Sequence, residues 1–222
     1  MFAMACSNTY CFSKVPIFQS LKPEQFEQVS QMITRHVYQK GEYVAMAGDL
    51  KKCLFIIRQG RVKIVKPLLD GQEHIVRIGE AGDFFGDTTL FSDMPLTTNI
   101  EALEETHICM INGDELKALF EQNPTILFKM ATEMSKRIDV IEENISDICH
   151  RDVATRVASF LVKFSDSQPI AMSKRDMASY LGTTRESVSR KLSDFQRAGW
   201  IKVDRSGIYV EELDELYKMI EV

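Results

Sequence analysis

Glycine spacing places the tightest limit on how this chain can fold. Seven of its eleven glycines lie between residues 41 and 86, a few to a dozen residues apart. The stretches between them are short and rich in apolar and β-branched residues, as in 53–57, 62–65 and 75–78. Residues 69–72, Leu-Asp-Gly-Gln, are typical of a hairpin turn, because Asp-Gly readily accepts positive φ. Many short strands at this spacing predict an antiparallel sandwich or barrel.

Beyond residue 111 the apolar spacing becomes helical. Residues 114–120 predict a short helix, and Pro124 opens a long one. Along the long helix, apolar residues recur at steps of 4, 4, 3, 4 and 3 from Met130 to Ile148. This stripe must be buried against the β-rich domain, against a second copy of the helix, or partly against each. The rhythm favours a parallel dimer helix whose predicted contacts are Met134, Ile138, Ile141, Ile145 and Ile148.

Two short helices joined by a glycine turn are predicted in residues 173–198. Ser173 is a good N-cap, and Gly182 ends the first helix. Thr183 or Thr184 caps the second helix. Its apolar residues recur at positions i, i+4 and i+7, at Val188, Leu192 and Phe195. This pattern indicates a helix-turn-helix, followed by a small hairpin, or wing, over 198–210.

The polar residues at the start of the second helix suit the major groove of DNA. Arginine can bind guanine in a bidentate way, and glutamate can accept from cytosine. A carboxylate among basic residues favours base reading, since a helix that only binds phosphate gains nothing from it. Predicted base readers are Arg185, Glu186, Ser189 and Arg190. Predicted backbone contacts, which position without reading sequence, are Ser173, Lys174, Thr183, Thr184, Ser187 and Lys191.

Charge and motifs narrow the class of protein. Residues 151–205 hold eleven Lys and Arg against six Asp and Glu, a net charge of +5. The whole chain carries −5, so the remainder carries −10. A positive segment on an acidic chain can neutralise phosphates locally while discouraging indiscriminate binding.

No signal peptide or membrane span is evident, which predicts a cytoplasmic protein. No phosphate loop, nucleophile motif or metal-binding histidine spacing points to an enzyme.

The run Leu-Gly-Thr-Thr-Arg-Glu-Ser-Val-Ser-Arg at 181–190 closely resembles the recognition helix of the CRP/FNR family, and the resemblance extends over nearly the whole chain. It implies an α+β fold with an antiparallel, jelly-roll sensor domain of the cyclic-nucleotide-binding type over 1–123. A dimerisation helix over 124–149 and a winged helix-turn-helix over 150–222 would follow. It also implies a homodimeric transcription regulator that binds a palindromic operator, with RNA polymerase as a further partner. Glu186 and Arg190 would be its paired base readers.

Residues 84–91 resemble the effector-binding segment of that family, but the ligand chemistry departs from it. A cyclic-AMP receptor has glutamate where this chain has Asp87, and an Arg-Ser pair where it has Thr97 and Thr98. Loss of the arginine removes a charged hydrogen bond worth about 1.5–3 kcal/mol. With Gly86, these residues are candidates for an effector pocket that does not respond to cyclic AMP.

The five cysteines are odd in number and scattered, unlike a disulfide framework. The resemblance places Cys6, Cys11 and Cys109 where the FNR branch holds its cluster cysteines. Three interpretations remain open. The first is a redox disulfide of Cys109 with Cys6 or Cys11, as in FNR-like proteins of Gram-positive bacteria. The second is a [4Fe–4S] cluster, which would need a fourth ligand other than cysteine. The third is inert packing.

Two functions therefore compete. The first is a DNA-binding regulator controlled by redox state or oxygen through its cysteines. The alternative is a β-roll that binds a small molecule and regulates a protein partner without specific DNA binding. The predicted base-reading residues that follow Gly182 distinguish them, because only the first function needs side chains that read bases.

Overall fold

A computed structural model describes residues 15–19, 21–68, 73–92, 94–167 and 169–220. The chain divides into two compact units, one reaching as far as Ile138 and the other beginning at Asp139. The first unit is built around β-sheet and the second is mainly helical. The α+β fold predicted from the sequence is confirmed.

Two antiparallel four-stranded sheets form the centre of the first unit. The strands are β1 (Ile33–Tyr38), β2 (Tyr43–Ala45), β3 (Cys53–Gln59), β4 (Val62–Pro67), β5 (Glu73–Gly79), β6 (Phe84–Phe85), β7 (Asn99–Ala102) and β8 (Thr106–Asn112). One sheet has the order β1-β8-β3-β6 and the other β2-β7-β4-β5. The predicted turn at 69–72 lies outside the described residues, but β4 and β5 on either side of it pair in antiparallel fashion.

The helices of the first unit cover one face of the first sheet. They are α1 (Pro23–Met32), α2 (Asp87–Phe91), α3 (Gly113–Gln122) and the beginning of α4 (Pro124–His150), with a 3₁₀ turn at Pro16–Phe18. Residues of the turn, of α1, of α3 and of α4 share one apolar cluster with β3, β6 and β8. A second apolar cluster joins the two sheets. The first sheet is therefore a middle layer.

Strand β3 is apolar along most of its length because both of its faces are covered. Phe55 and Ile57 belong to the cluster between the sheets, whereas Leu54 and Ile56 belong to the cluster beneath the helices. Side chains along a strand alternate between its faces, so a strand in a middle layer needs an unbroken apolar run. Residues 53–57 provide that run.

The apolar stripe of α4 divides between two environments. Met130 is fully buried in the core of the first unit, and Met134 is partly buried against it. Further along, Ile138, Ile141 and Ile145 are 56%, 40% and 56% exposed. The first part of the stripe thus packs within its own unit, which was one of the alternatives left open by the sequence. The second part has no cover within the described residues.

The second unit is a small helical domain with a β-hairpin. Its elements after α4 are α5 (Val153–Lys163), a 3₁₀ turn (Ser165–Ser167), α6 (Lys174–Tyr180), α7 (Arg185–Arg197), β9 (Ile201–Val203), β10 (Ile208–Val210) and α8 (Leu213–Ile220). The apolar faces of α5, α6 and α7 are buried, Val157, Met177 and Val188 completely. Among the residues that the structure describes, no helix is both long and apolar enough to cross a bilayer.

Candidate nucleic-acid interface and sensor site

Local capping sets the ends of α6 and α7. The Ser173 hydroxyl accepts a hydrogen bond from the Asp176 amide at 3.0 Å, and Thr184 accepts from the Ser187 amide at 3.2 Å. Each side chain satisfies a donor that an N-terminal helical turn would otherwise leave unpaired. Between the helices, Gly182 has a φ of +59°, in the left-handed region that glycine adopts most easily. The predicted helix-turn-helix is confirmed, with Thr184 rather than Thr183 as the cap.

The start of α7 exposes a charged face. Arg185, Glu186 and Arg190 are exposed, while Val188, on the side opposite Glu186 and Arg190, is fully buried. Within the described chain, none of these three charged side chains has a hydrogen bond or an ion pair to another residue. Residues four apart on a helix are neighbours, so Glu186 and Arg190 lie side by side. Their hydrogen-bonding groups are available to an external ligand.

Ser189, the fourth predicted base reader, is engaged by a residue of the preceding helix. The Lys174 ammonium of α6 donates to the Ser189 hydroxyl at 3.0 Å. Both residues are half-buried, in contrast to the exposed Arg190 beside Ser189. The structure therefore brings a predicted backbone contact and a predicted base reader together at the junction of the two helices.

The remaining predicted backbone contacts lie around the same junction. The Thr184 hydroxyl donates to the Ser187 hydroxyl at 3.0 Å, so both side chains take part in the cap. The Thr183 amide donates to the Ala178 carbonyl at 3.0 Å and closes the turn. The Lys191 ammonium lies 3.7 Å from the Asp194 carboxylate on the same helix.

Arg156 of α5 supports the turn from behind, a role that the sequence pattern did not reveal. Its Nη1 donates to the Leu181 carbonyl at 2.5 Å, at the C-terminus of α6. A carbonyl there has no partner within the helix, so an arginine satisfies it and complements the helix dipole. The contact joins residues 25 positions apart, which no local pattern predicts.

The wing forms as the sequence predicts, with β9 and β10 paired antiparallel. Asp204 shapes its tip by accepting from the Ser206 hydroxyl, from the Ser206 amide at 2.8 Å and from the Gly207 amide at 3.3 Å. These hydrogen bonds, first of all that from the Ser206 side chain, lower the pKa of Asp204. Lys202 and Arg205 are exposed on the same hairpin.

In the first unit, the predicted effector residues differ in burial and in contacts. Gly86 has a φ of +90°, and a Cβ there would collide with the Cys53 carbonyl oxygen, so glycine is required. Thr97 is exposed and Thr98 half-buried. Asp87 faces α4, where its carboxylate lies 3.7 Å from Nη1 of Arg137.

Arg137 is a functional candidate that the sequence reasoning missed. Its Nη2 donates to the Phe84 carbonyl at 2.7 Å, and its guanidinium carbon lies 3.8 Å from the centroid of the Phe84 ring. Arg77 donates to the same carbonyl at 3.3 Å and pairs with Asp83 at 3.6 Å. Burial, followed by the positive charge of Arg77, lowers the pKa of Arg137. The cluster ties α4 to the segment that precedes α2.

Of the redox candidates, Cys6 and Cys11 lie outside the described residues. Cys109 is buried on β8, in the apolar cluster that also contains Val15, Ile17 and Phe18. Cys53 is buried in the cluster between the sheets, where burial raises the pKa of its thiol. A raised pKa disfavours the thiolate, which is the reactive form. In the part of the chain that the structure describes, no group of three His, Cys, Asp or Glu side chains could hold a metal ion.

A winged helix-turn-helix with an exposed charged face, preceded by an antiparallel β-roll, is typical of a DNA-binding regulator. Two family models match these parts: the cyclic nucleotide-binding domain over residues 35–123 and the Crp-like helix-turn-helix domain over residues 155–219. The chain belongs to the CRP/FNR family of transcriptional regulators. The relatives that it matches are transcriptional regulators.

Relatives are similar over nearly the whole chain. The anaerobic regulatory protein of Bacillus subtilis is 27% identical over 213 residues, 90% of each protein. The fumarate and nitrate reduction regulatory protein of Salmonella typhi is 29% identical over 89% of this chain and 83% of its own length. The CRP-like cAMP-activated global transcriptional regulator of Mycobacterium tuberculosis is 24% identical, covering 92% of this chain and 96% of its own.

Solved structures share the fold. FixK2 from Bradyrhizobium japonicum superposes with a TM-score of 0.75 at 23% identity, covering 84% of this chain and 96% of its own. The c-di-GMP responsive global regulator CLP from Xanthomonas campestris has a TM-score of 0.74 at 22% identity, covering 85% of this chain and 99% of its own.

Proposed function

We propose that the chain is a homodimeric, sequence-specific transcription regulator that reads a palindromic operator with α7 and responds to redox state instead of cyclic AMP. The observation that carries the proposal is the exposed face of α7. Arg185, Glu186 and Arg190 have no partner within the described chain, yet they stand on a helix whose opposite face is buried. Two guanidinium groups and one carboxylate in that position suit guanine and cytosine in a major groove.

A dimer follows from the exposed part of α4. Ile138, Ile141 and Ile145 repeat at steps of three and four on a helix whose earlier residues are covered by the first unit. Such a stripe is typical of a coiled-coil seam. Two copies related by a two-fold axis would present two α7 helices to half-sites about one helical turn apart. Met134 and Ile148 remain predicted contacts, and the Ile148 side chain lies outside the described ones.

Cyclic AMP is excluded from this proposal by the chemistry of the effector segment. Thr97 and Thr98 offer no positive charge to a cyclic phosphate, and Asp87 is held by Arg137. RNA polymerase is proposed as a further partner on the family resemblance alone.

The redox part rests on the place of Cys109. It shares a core cluster with Val15, and Cys11 precedes Val15 by four residues, a span of at most about 14 Å. A chain segment of that length is compatible with a disulfide between Cys11 and Cys109. A disulfide is favoured over an iron–sulfur cluster, because the cluster would need a ligand other than these cysteines.

An ultraviolet–visible spectrum of anaerobically purified protein, with thiol counts before and after exposure to air, distinguishes the disulfide from the cluster. Loss of two thiols in air would support the disulfide, and visible iron–sulfur bands would support the cluster. If neither change occurs, redox control through these cysteines is contradicted.

DNA binding is tested by selecting bound duplexes from a random pool, followed by titrations at fixed salt. We expect an inverted repeat. Arg190→Ala should relax the preference at one base pair of each half-site, at a cost of about 1–3 kcal/mol. Arg197→Ala is a matched control, because Arg197 is exposed at the far end of α7 and pairs with Asp194 at 3.4 Å. No preference for any inverted repeat over random duplex would refute the proposal.

A further inference from the structure

The wing is fixed at its base to the rest of the second unit. Strand β9 begins directly after Trp200, whose ring packs against Phe195 of α7 with the two centroids 5.3 Å apart. On the other strand, Ile208 pairs with Ile170, and their backbones exchange hydrogen bonds of 2.9 and 3.3 Å. Ile201 and Ile208 are both buried. The hairpin therefore holds a fixed position relative to α7, the proposed base-reading helix.

Hydrogen bonds also fix the tip of the wing. The Asp204 carboxylate accepts from Ser206 and Gly207, and the Asp204 amide donates to the Gly207 carbonyl at 3.0 Å. The Ser206 hydroxyl lies 2.8 Å from the Tyr209 hydroxyl, which ties the tip to β10. A tip that is already ordered loses little conformational entropy when it binds a ligand.

Two exposed cations, Lys202 and Arg205, extend from this hairpin. Neither forms a hydrogen bond or an ion pair with another residue that the structure describes. At the end of α7, by contrast, Arg197 pairs with Asp194 at 3.4 Å. The outer part of the wing thus carries two positive charges against the one negative charge of Asp204, and both cations are available to an external anion.

The acidic residues next to the wing lie at its base. The amides of Glu211 and Glu212 donate to the Trp200 carbonyl at 2.9 and 3.1 Å, which places both residues where the strands join the rest of the unit. Both are exposed. Charge is therefore separated along the wing, positive towards the tip and negative at the base. An approaching polyanion is attracted to the tip and repelled from the base.

We infer that the wing tip binds the sugar–phosphate backbone of DNA, with Arg205 and Lys202 each pairing with a phosphate beside the groove that α7 reads. The four residue steps from Ile201 to Arg205 span about 13 Å of strand, close to the width of about 12 Å of a major groove. A tip fixed relative to α7 can therefore reach the backbone that borders the groove. The inference rests on the proposed DNA-binding function and adds a contact outside the helix-turn-helix.

Titrations of operator and random duplexes at about 50–200 mM salt test the inference. Arg205→Gln should weaken binding to both duplexes by the same factor, because a phosphate contact positions without reading sequence. The magnitude of the slope of log affinity against log salt should fall by about one in Arg205→Gln or Lys202→Gln, and by about two in the double variant. Lys218→Gln should keep the parent slope, since it removes the same charge from α8, where Lys218 pairs with Glu215 at 2.5 Å.

Neutral phosphates locate the contact. Methylphosphonates placed singly along the operator should weaken binding by the parent at each contacted position. Arg205→Gln should lose this sensitivity at one phosphate of each half-site and keep it elsewhere. An unchanged salt slope, an unchanged methylphosphonate pattern, or a shifted preference among base pairs would overturn the inference while the proposed function stands. A parent protein that prefers no inverted repeat would overturn both.

Discussion

The ammonium of Lys174 lies 3.0 Å from the hydroxyl of Ser189, so the two helices of the helix-turn-helix are joined by a side-chain hydrogen bond next to the proposed base-reading face. Ser189 cannot direct its full hydrogen-bonding capacity to a base while it accepts from Lys174. The lysine, in turn, keeps two further donors for a phosphate. The pair therefore links positioning on the backbone to the side chains that read sequence.

Replacing Lys174 should weaken DNA binding without changing its preference. Lys174→Met keeps the apolar stem and removes the charge, so affinity for operator and random duplex should fall together. The slope of log affinity against log salt should decrease by about one, because one fewer phosphate is neutralised. Titrations at several salt concentrations measure both. A changed operator preference would instead show that Lys174 contributes to base reading, directly or through Ser189.

A carboxylate within the exposed stripe of α4 should separate the proposed dimer. Ile145→Glu removes one apolar side chain per copy and places two negative charges opposite each other. The expected loss is about 3 kcal/mol or more of association free energy. Sedimentation equilibrium measures it. Lys136→Glu is the control, since nine helical residues place it on the opposite side of α4. A dimer that is equally stable in Ile145→Glu would contradict the proposed seam.

Asp152 should make folding depend on acid pH. Its carboxylate accepts the Thr155 amide at 2.8 Å at the start of α5, and this hydrogen bond is the main reason that its pKa is lowered. A carboxyl group whose pKa is lower in the folded than in the unfolded state stabilises the fold at pH values above its unfolded pKa of about 3.9. That contribution disappears as the pH falls through the folded pKa.

The measurement is the urea midpoint between pH 7 and pH 3, compared with Asp152→Asn. Asparagine still caps the helix but cannot titrate. The variant should therefore lose part of the acid-dependent fall in stability that the parent shows. Identical pH profiles would mean that the Asp152 charge contributes nothing to folding.

The helix-turn-helix could be predicted because its determinants are local. Ser173 and Thr184 each cap the helix that follows by accepting a hydrogen bond from the amide three residues ahead. Gly182 adopts a φ that few other residues accept. The strands were predictable for a similar reason, because glycines and alternating or continuous apolar runs mark their ends and faces. All of these signals lie within a few residues of the structure they determine.

Contacts between distant segments could not be predicted in this way. Arg137 and Phe84 are 53 positions apart, and they meet only because α4 packs beside the first sheet. The division of the α4 stripe has the same origin. A helical period shows which residues share a face, but not that Met130 is covered by its own unit while Ile145 is exposed.

Arg137 should contribute strongly to the stability of the first unit. Arg137→Ala removes a charged hydrogen bond to the Phe84 carbonyl and a cation that stacks on the Phe84 ring. Together these losses should lower the free energy of unfolding by about 2 kcal/mol or more. Arg137→Lys should restore less than half, because an ammonium cannot both stack flat on the ring and donate from a planar fork. Calorimetry and circular dichroism measure the unfolding. Arg35→Ala is the control, since Arg35 is an exposed arginine on β1. If Arg137→Ala unfolds at the parent's midpoint, Arg77 alone satisfies the carbonyl, and the tie between α4 and the segment before α2 carries no stability.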